Sequence, residues 1–363
     1  MAKRAIPLSV VSNLPPSRHL RLSGSHFELG LRHGLAHREA IQRFLADRRT
    51  RLDAVAPAAQ LADLSGRIAA HAECIEWALP GMAQEVRGLA HGAGITLEEG
   101  YLLQLRREIA GYQAVPTAGD CTTFGRLAGA CTVLGQTIDL NGGMAPELSV
   151  LEITHGATGR RLAMASFTGL LGYLGLNDRG LAVGLNLVLA GTWRPGIPAY
   201  MLIRHLLDEA DSVDDCLAVL RAVPLASSRA LMLTDGRRLV TVEYVLDDIR
   251  ITEADVSCHA NHFLHPDFVP RDALNPFART SSLRRQQACE DALRAVPAEA
   301  ALERYFAFMD AAPVHVADTG DLRRECTVGT AVMQPRLGVL AVRQRAPVAA
   351  TSSPVAARAL QAV

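Results

Sequence analysis

The chain has few lysines, no closely spaced cysteine pair and no long apolar run, and each shortage argues against a class of protein. Lys3 is the only lysine, and the 37 basic residues equal the 37 acidic ones in number. A formal net charge of zero gives no support to a nucleic-acid partner or an anionic membrane surface. The apolar run near the N-terminus is short and broken by Pro7 and Ser9, which argues against a signal peptide. No run approaches the ~18 apolar residues of a membrane span, so no membrane partner is expected.

The cysteine pattern argues against metal and disulfide scaffolds. The count is odd and no CxxC pair occurs among the seven, which are Cys74, Cys121, Cys131, Cys216, Cys258, Cys289 and Cys326. Neither a zinc site nor a disulfide framework is therefore expected, and the thiols are predicted to be reduced in a cytoplasmic protein. We expect no metal and no organic cofactor. With 363 residues, 49% of them apolar, the chain can bury a large core.

The periodicity of apolar residues changes at about residue 120. Residues 1–120 are predicted to be mainly helical, and the spacing of Ser25 and Glu28 is typical of a capping box at a helix start. From Cys121 onward the period becomes two, with Gly-rich turns such as Asp235-Gly236 between candidate strands. Along the whole chain, a block of predicted helices is followed by a block of predicted strands, and this alternation occurs three times. This order favours an α+β fold of stacked antiparallel sheets and helices over a doubly wound parallel sheet.

One cysteine stands at the change of pattern. The segment Asp120-Cys121-Thr122-Thr123-Phe124 follows a Pro/Gly loop and opens the strand-rich part of the chain. A cysteine at such a junction would become a new N-terminus if the peptide bond before it were cut. Its thiol would then be the nucleophile, and its α-amine, which titrates near ~8 when unperturbed, would be the general base. The alternative is a buried structural cysteine at a strand start.

Several short motifs, each weak alone, keep a characteristic order over roughly three hundred residues. They are Gly24-Ser25-(x)4-Gly30-(x)2-His33-Gly34, Glu85-(x)2-Gly88-Leu89-Ala90-x-Gly92-Ala93-Gly94, Arg107-Glu108, Cys121-Thr122-Thr123, Gly135-Gln136-Thr137-Ile138-Asp139, Gly175-Leu176-Asn177-(x)2-Gly180-Leu181-Ala182-Val183, Leu185-Asn186, Ala260-Asn261-His262-Phe263 and Cys326-Thr327-(x)4-Val332-Met333. Together they resemble the acyl-coenzyme A:6-aminopenicillanic acid acyltransferase family, also called isopenicillin-N acyltransferase-like proteins.

The resemblance implies a fold and a maturation step. It implies an N-terminal-nucleophile hydrolase fold, a four-layer α-β-β-α sandwich of antiparallel sheets. It also implies a precursor that cuts itself between Asp120 and Cys121. The segments are then 1–120, a helical pro-segment packed on the core, 121–346, the catalytic segment, and 347–363, a mobile tail. The two cleavage fragments are expected to stay associated.

Three further residues are candidates for the chemistry at Cys121. Asp139 follows Cys121 by eighteen residues, and a two-stranded excursion can return its carboxylate to hold the new ammonium or orient the thiol. A turn aspartate is the alternative. Asn261 and Asn186 are the candidate donors for a tetrahedral oxyanion, which needs preorganised N–H groups. A turn-forming or core-bridging asparagine is the alternative for each.

The remaining candidates concern the substrate and the cleavage site. Substrate contacts are predicted for Thr123, Phe124, His262 and Arg284, although a solvated helical arginine is the plainer interpretation of Arg284. Asp120 stands where the fungal pattern has glycine, and glycine adopts a strained backbone at less cost. Self-cleavage at this bond is therefore expected to start from a residue with less backbone freedom than the fungal pattern provides.

The predicted activity is cleavage or transfer of an acyl group at an amide bond of a small molecule or peptide natural product. Whether water or an amine takes the acyl group from Cys121 stays open, and an acyl-coenzyme A is a partner only in the second case. Two alternatives remain. One is a papain-like protease in which His259 or His262 serves the thiol, and the other is an uncleaved, non-enzymatic scaffold of the same fold.

Overall fold

The computed structural model describes residues 5–47, 63–110, 121–140, 143–321 and 324–344, so Asp120 and the predicted tail lie outside the described residues. Helices and strands in these ranges follow the predicted alternation. The helices are α1 His26–Ala36, α2 Arg38–Ala46, α3 Leu64–Ala78, α4 Pro80–Ala93, α5 Leu97–Ala110, α6 Ala199–Glu209, α7 Val213–Ala222, α8 Pro276–Ala295 and α9 Leu302–Met309. No helix in these ranges combines the length and the apolar character that crossing a membrane requires.

The strands of the described residues form one sheet of six and one sheet of eight. They are β1 Ser9–Ser12, β2 His19–Gly24, β3 Thr123–Arg126, β4 Val133–Leu140, β5 Leu148–His155, β6 Arg161–Phe167, β7 Leu174–Asn177, β8 Ala182–Leu187, β9 Ser228–Thr234, β10 Leu239–Val245, β11 Asp248–Glu253, β12 Val256–His259, β13 Cys326–Gln334 and β14 Val339–Gln344. The six-stranded order is β1-β14-β13-β4-β3-β12, and the eight-stranded order is β11-β10-β9-β8-β7-β6-β5-β2.

The two sheets face each other and carry helices on their outer sides. Strands β3 and β4 of the first sheet contact β8 of the second, while α8 and α9 cover the first sheet and α6 covers β6, β7 and β8. This arrangement of two sheets between outer helices is the predicted four-layer α-β-β-α sandwich, so the predicted fold class is confirmed. One detail differs from the prediction of antiparallel sheets. The N-terminal strands β1 and β2 join β14 and β5 in parallel, so residues before Cys121 supply an edge strand to each sheet.

Two local predictions are confirmed where the sequence signal was specific. Ser25 caps α1 in a capping box, because its side chain accepts from the Glu28 N–H while the Glu28 carboxylate accepts from the Ser25 N–H. The turn at Asp235-Gly236 joins the antiparallel pair β9 and β10, and Gly236 has a φ of +78° that suits glycine.

The glycine motifs of the N-terminal segment allow two helices to touch. A Cβ added at Gly30 of α1 would lie 1.9 Å from the Glu85 carbonyl oxygen, and one at Gly88 of α4 would lie 2.0 Å from the Phe27 carbonyl oxygen. Gly34 and Gly92 make the corresponding approaches one turn further along. Since any larger residue would collide with backbone, the two motifs encode one helix–helix contact.

A glycine also allows the two sheets to approach each other closely at the predicted site. A Cβ at Gly184 of β8 would lie 3.1 Å from Cγ2 of Thr123 on β3. Strand β3 is an inner strand, hydrogen-bonded to β4 on one side and to β12 on the other. Cys121 therefore enters the sandwich between the sheets and not at an edge.

Candidate active site

Cys121 immediately precedes β3 and is buried, with 3% of its surface exposed. The backbone after it is fixed by two hydrogen bonds, from the Thr122 N–H to Thr137 Oγ1 (2.8 Å) and from the Thr137 N–H to the Thr122 carbonyl (2.9 Å). Cys121 itself has a φ of +43°, in the left-handed region that non-glycine residues rarely adopt. Such strain, of order 1–3 kcal/mol, is typical of functional positions.

The carbonyl oxygen of Cys121 accepts two hydrogen bonds from distant parts of the chain. Asn186 Nδ2 on β8 donates at 3.0 Å and Arg285 Nη1 on α8 donates at 2.8 Å. Arg285 also donates to Thr122 Oγ1 at 2.9 Å and to Asn261 Oδ1 at 2.6 Å. One buried guanidinium thus joins the cysteine backbone to Asn261, while Asn186 bonds to the same carbonyl oxygen directly.

Asn261 is held by its own contacts just beyond β12. Its backbone N–H donates to Ser282 Oγ at 2.7 Å, and its Nδ2 donates to the Leu187 carbonyl at 2.9 Å. We call Asn186, Asn261, Ser282 and Arg285 the polar clamp. Of the predicted residues, Asn186 on β8 contacts the Cys121 carbonyl directly, and Asn261 after β12 is linked to it through Arg285.

The two candidate histidines lie beside the clamp with partners of their own. His262 Nδ1 lies 2.8 Å from Ser282 Oγ. Burial, with the nearby charges of His259, Arg279 and Arg285, lowers the pKa of His262 to about 4, so it is neutral at pH 7. His259 Nδ1 lies 2.8 Å from the Ala260 carbonyl and its Nε2 lies 3.0 Å from Glu243 Oε1. Both histidines thus make structural hydrogen bonds at this end of β12.

Asp139 lies at the end of β4, fully buried, and its Oδ1 accepts from Thr327 Oγ1 of β13 at 2.7 Å. The β3–β4 register pairs Thr123 with Gln136. Continued by two residues, that register sets Ile138 opposite Cys121, so Asp139 is the next residue along the strand. The two strands therefore bring the Asp139 backbone beside Cys121.

The predicted substrate residues occupy different surroundings. Thr123 and Phe124 are buried in β3, and the Phe124 ring stacks on Tyr305 of α9 with centroids 5.5 Å apart. Phe124 is thus part of the core under α9. Arg284 is exposed on α8, whereas its neighbour Arg285 is buried and makes the clamp contacts. These placements favour Arg285 over Arg284 as the arginine of the site.

Arg285 escaped the sequence interpretation, although a signal was available. The buried face of α8 repeats at helical spacing through Ala278, Ser282, Cys289 and Leu293. Arg285 falls on that face, three residues after Ser282 and four before Cys289. An arginine within an apolar helical stripe needs a buried partner, which is a recognisable functional signal.

A narrow pocket adjoins the thiol, with a cavity volume of about 10 Å³, which is close to the room that one water molecule needs. Its lining residues are Arg107, Cys121, Leu140, Tyr173, Leu185, Leu187, Tyr200 and Arg229. The Tyr173 hydroxyl lies 3.4 Å from Cys121 Sγ, and the Tyr173 ring stacks on Tyr200 with centroids 5.0 Å apart. Tyr173 carries no local sequence signal, because only the tertiary fold brings the loop before β7 to Cys121.

The described residues contain no cluster of three or more histidine, cysteine or acidic side chains arranged to hold a metal ion.

Comparison with known proteins places this site in a family. The profile of the family described as acyl-coenzyme A:6-aminopenicillanic acid acyl-transferase matches residues 126–341, beginning five residues after Cys121. A curated relative from Emericella nidulans, the acyl-coenzyme A:6-aminopenicillanic-acid-acyltransferase 40 kDa form, is 24% identical over 263 residues, covering 71% of this chain and 72% of the relative.

Two solved structures show a more distant likeness. A variant of conjugated bile acid hydrolase from Clostridium perfringens matches with a TM-score of 0.47 and 11% identity, over 62% of this chain and 89% of that one. Penicillin V acylase from Agrobacterium tumefaciens matches with a TM-score of 0.43 and 13% identity, over 60% and 80%. Since the family profile spans more than half of the sequence, the chain belongs to the acyl-coenzyme A:6-aminopenicillanic acid acyl-transferase family.

Proposed function

We propose that the protein is a self-processing enzyme that cleaves or transfers an acyl group at an amide bond through Cys121. The observation that carries the proposal is the state of Cys121. It is a buried cysteine in a left-handed backbone conformation, with its carbonyl held by Asn186 and Arg285 and its thiol at a pocket. The family membership and the acyltransferase relative support the same chemistry.

In the proposed maturation step, Cys121 Sγ attacks the carbonyl carbon of Asp120 and the peptide nitrogen leaves with a proton. The peptide nitrogen has then become the α-amine of Cys121, and water hydrolyses the thioester, which frees the thiol and leaves Asp120 with a C-terminal carboxylate. The hydrogen bonds that fix the Cys121 carbonyl and Thr122 support this step, because they hold the backbone while one bond is exchanged for another.

In the proposed turnover step, the freed α-amine accepts the thiol proton while the sulfur attacks the substrate carbonyl. The oxyanion that forms would be stabilised by side-chain amide donors of Asn186 and Asn261. Asp139 would hold the new ammonium, as its buried carboxylate lies at the adjacent strand position. Collapse expels the amine with the proton and leaves an acyl group on Cys121, which water or a second amine then removes.

A papain-like pairing receives less support from the geometry. His262 Nδ1 is engaged by Ser282, and the ring nitrogens of His259 are engaged by Glu243 and the Ala260 carbonyl.

The proposed function also expects the two fragments to stay together after cleavage. Its support is that β1 and β2 pair with β14 and β5 across the cleavage point.

Two buried ion pairs also cross the cleavage point. Arg204 Nη1 lies 2.7 Å from Glu85 Oε1, and Arg229 Nη2 lies 3.0 Å from Glu108 Oε1, with all four side chains at most 1% exposed. Separating the fragments would break both buried ion pairs, and removing one partner of a buried pair is strongly unfavourable. The fragments should therefore elute together in native gel filtration and separate only in denaturant.

The deciding experiment is intact mass spectrometry of the parent protein, its Cys121→Ala variant and a matched Cys131→Ala control. We expect fragments 1–120 and 121–363 from the parent and the control, and one uncut chain from Cys121→Ala. An uncut chain in all three would overturn self-processing. Adding an amine acceptor to the cleaved enzyme with an amide substrate then separates acyl transfer from hydrolysis by the product formed.

A further inference from the structure

We propose that Glu243 and a doubly protonated His259 form a positioning pair, which fixes the loop that carries Asn261 at the Cys121 site. The inference deepens the proposed function and rests on it for what the site does. His259 ends β12 of the six-stranded sheet, and Glu243 belongs to β10 of the eight-stranded sheet. The two side chains are 1% and 4% exposed, so the pair joins the two sheets away from solvent.

The hydrogen bonds of His259 determine its protonation state. Its Nδ1 lies 2.8 Å from the Ala260 carbonyl oxygen, and its Nε2 lies 3.0 Å from Glu243 Oε1. A carbonyl and a carboxylate only accept hydrogen bonds, so each ring nitrogen must donate. A neutral imidazole carries one N–H, and therefore only the imidazolium form of His259 makes both bonds.

Glu243 is kept ionised by its own contacts. Its Oε1 also accepts from the Leu264 N–H at 2.6 Å, and its Oε2 accepts from the His265 N–H at 2.7 Å. Burial raises the pKa of this carboxyl, but the hydrogen bond and charge of His259 and the two backbone donors outweigh burial and lower the pKa below its usual value. The negative charge that a buried imidazolium needs is therefore in place.

The same carboxylate holds both ends of one short loop. It accepts from His259 where the loop begins, and from the N–H groups of Leu264 and His265 where the loop ends. Strand β10 is an inner strand, paired with β9 and β11, so Glu243 is anchored to a fixed part of the sandwich. Loop 260–265 thus takes its position from Glu243, because strand β12 has already ended at His259.

His259 also orients the peptide group of Asn261. The Ala260 carbonyl and the Asn261 N–H belong to one planar unit. His259 donates to its carbonyl side, and the serine hydroxyl of the polar clamp accepts from its N–H side at 2.7 Å. With both sides held, Asn261 Oδ1 accepts from Arg285, which also donates to the Cys121 carbonyl. A neutral His259 would keep only one of its two bonds and would loosen this connection.

The other titratable and charged groups around the pair are His262, His265 and Asp272 in and after the loop and Arg279 and Arg285 on α8. Burial, with the nearby positive charges, lowers the pKa of His262 to about 4, so its ring is neutral at pH 7. Arg279 Nη1 lies 3.0 Å from Asp272 Oδ2 and is paired there. The charge of His259 is therefore balanced by the carboxylate that it contacts, Glu243.

Nitrogen NMR of the imidazole rings tests the charge state. The protein is labelled with 15N-histidine, recorded across about pH 6–8, and the His259 signals are assigned by their loss in His259→Gln. We expect both nitrogens of His259 to show the protonated signature throughout, while His262 shows a neutral ring. Glu243→Gln provides a second assignment, because loss of the carboxylate should turn His259 into the neutral form. One unprotonated nitrogen at His259 in the parent would overturn the proposal.

Hydrogen exchange in Glu243→Gln tests the loop. The amide keeps the size of the side chain but replaces one acceptor oxygen by an NH2 group that faces backbone donors. We expect exchange at the amides of Leu264 and His265 to accelerate at least ~10-fold. Thr241→Val is the matched control, because it removes an uncharged contact between the same two strands, 3.0 Å from Thr241 Oγ1 to Ser257 Oγ. Parental exchange in Glu243→Gln, or equal acceleration in Thr241→Val, would overturn the proposal.

The rate of self-cleavage then reports whether the loop positions the site. We expect it to fall about 10–100-fold in Glu243→Gln, since small displacements of groups at a reacting centre reduce rates to this extent, and to stay parental in Thr241→Val. Faster exchange with an unchanged cleavage rate would overturn the positioning role. The NMR and exchange measurements need neither cleavage nor turnover, so they can fail while self-processing succeeds, and the reverse.

Discussion

The two sides of Cys121 differ in what surrounds them. On the carbonyl side, the polar clamp supplies donors from β8 and α8 to one backbone oxygen. On the thiol side, a pocket with leucine, tyrosine and arginine walls keeps empty space next to Cys121 Sγ. Holding the cysteine backbone and, in the proposed function, binding a substrate are therefore tasks of separate groups of residues. Substitutions on the carbonyl side of Cys121 should therefore leave the properties of the thiol side measurable, and the reverse.

The largest effect is expected from Arg285, which joins three members of the site. Arg285→Lys keeps the charge but cannot donate to the Cys121 carbonyl and to Asn261 Oδ1 in the same planar geometry. We expect the rate of self-cleavage to fall ~10²–10³-fold, the usual effect of losing one well-placed donor. A mass-spectrometric time course measures it, with Arg294→Lys on the exposed face of α8 as control. Cleavage of Arg285→Lys at the parental rate would show that the clamp is dispensable.

A stability effect of about 2 kcal/mol is expected from Ser282→Ala. The hydroxyl oxygen accepts from the Asn261 N–H and lies within hydrogen-bonding distance of His262 Nδ1, so its removal leaves buried polar atoms unpaired. The free energy of unfolding in urea measures the loss. Ser281→Ala, at the half-buried neighbouring position, should stay within about 0.5 kcal/mol of the parent.

The clamp also makes the protein sensitive to acid through His262. Its folded pKa of about 4 lies below the unfolded value of ~6.5, so only the unfolded chain gains this proton as the pH falls below ~6.5. Stability from this group should fall by about 1–2 kcal/mol between pH 6.5 and pH 4.5, after allowance for solvent screening. Urea unfolding across this range checks it. His262→Asn should show a smaller slope, and an equal slope would assign the acid sensitivity to other groups.

The smallest effect is expected on the pocket side, from Tyr173→Phe. The change removes the hydroxyl that lies 3.4 Å from Cys121 Sγ and keeps the ring stacked on Tyr200. We expect kcat to fall several-fold while the free energy of unfolding changes by less than about 0.5 kcal/mol. Steady-state kinetics and urea unfolding measure the two. Tyr101→Phe, whose hydroxyl bonds to Glu76, serves as the control with unchanged kcat. A large stability loss in Tyr173→Phe would make its role structural.

Local signals predicted the fold well where neighbouring residues decide the structure. The capping box at Ser25 and the turn at Asp235-Gly236 each involve atoms within four residues, and both are confirmed. The parallel pairing of β1 with β14 was not predicted, because the partners lie at opposite ends of the chain. Nothing in the short strand itself specifies which edge it joins.

The candidate site likewise contains residues that the sequence indicated and residues that it did not indicate. Asn186 and Asn261 came from a motif resemblance; the structure places Asn186 on the Cys121 carbonyl and Asn261 on Arg285, and their roles as oxyanion donors stay predictions. Arg285, Tyr173 and Arg107 were not assigned roles in the site by the sequence. Each reaches Cys121 only after a separate helix or loop has packed against the sandwich.

By itself the sequence determined the family, the layered order of helices and strands, and the cysteine at their junction, because these depend on residue types and short spacings. The tertiary structure decided which side chains meet that cysteine. Arg285 donates to the Cys121 carbonyl across 164 residues of chain, and Asn186 does so across 65. A hydrogen bond requires its two atoms within about 3 Å. That distance is fixed only when strand register and helix packing are fixed, and no local pattern carries it.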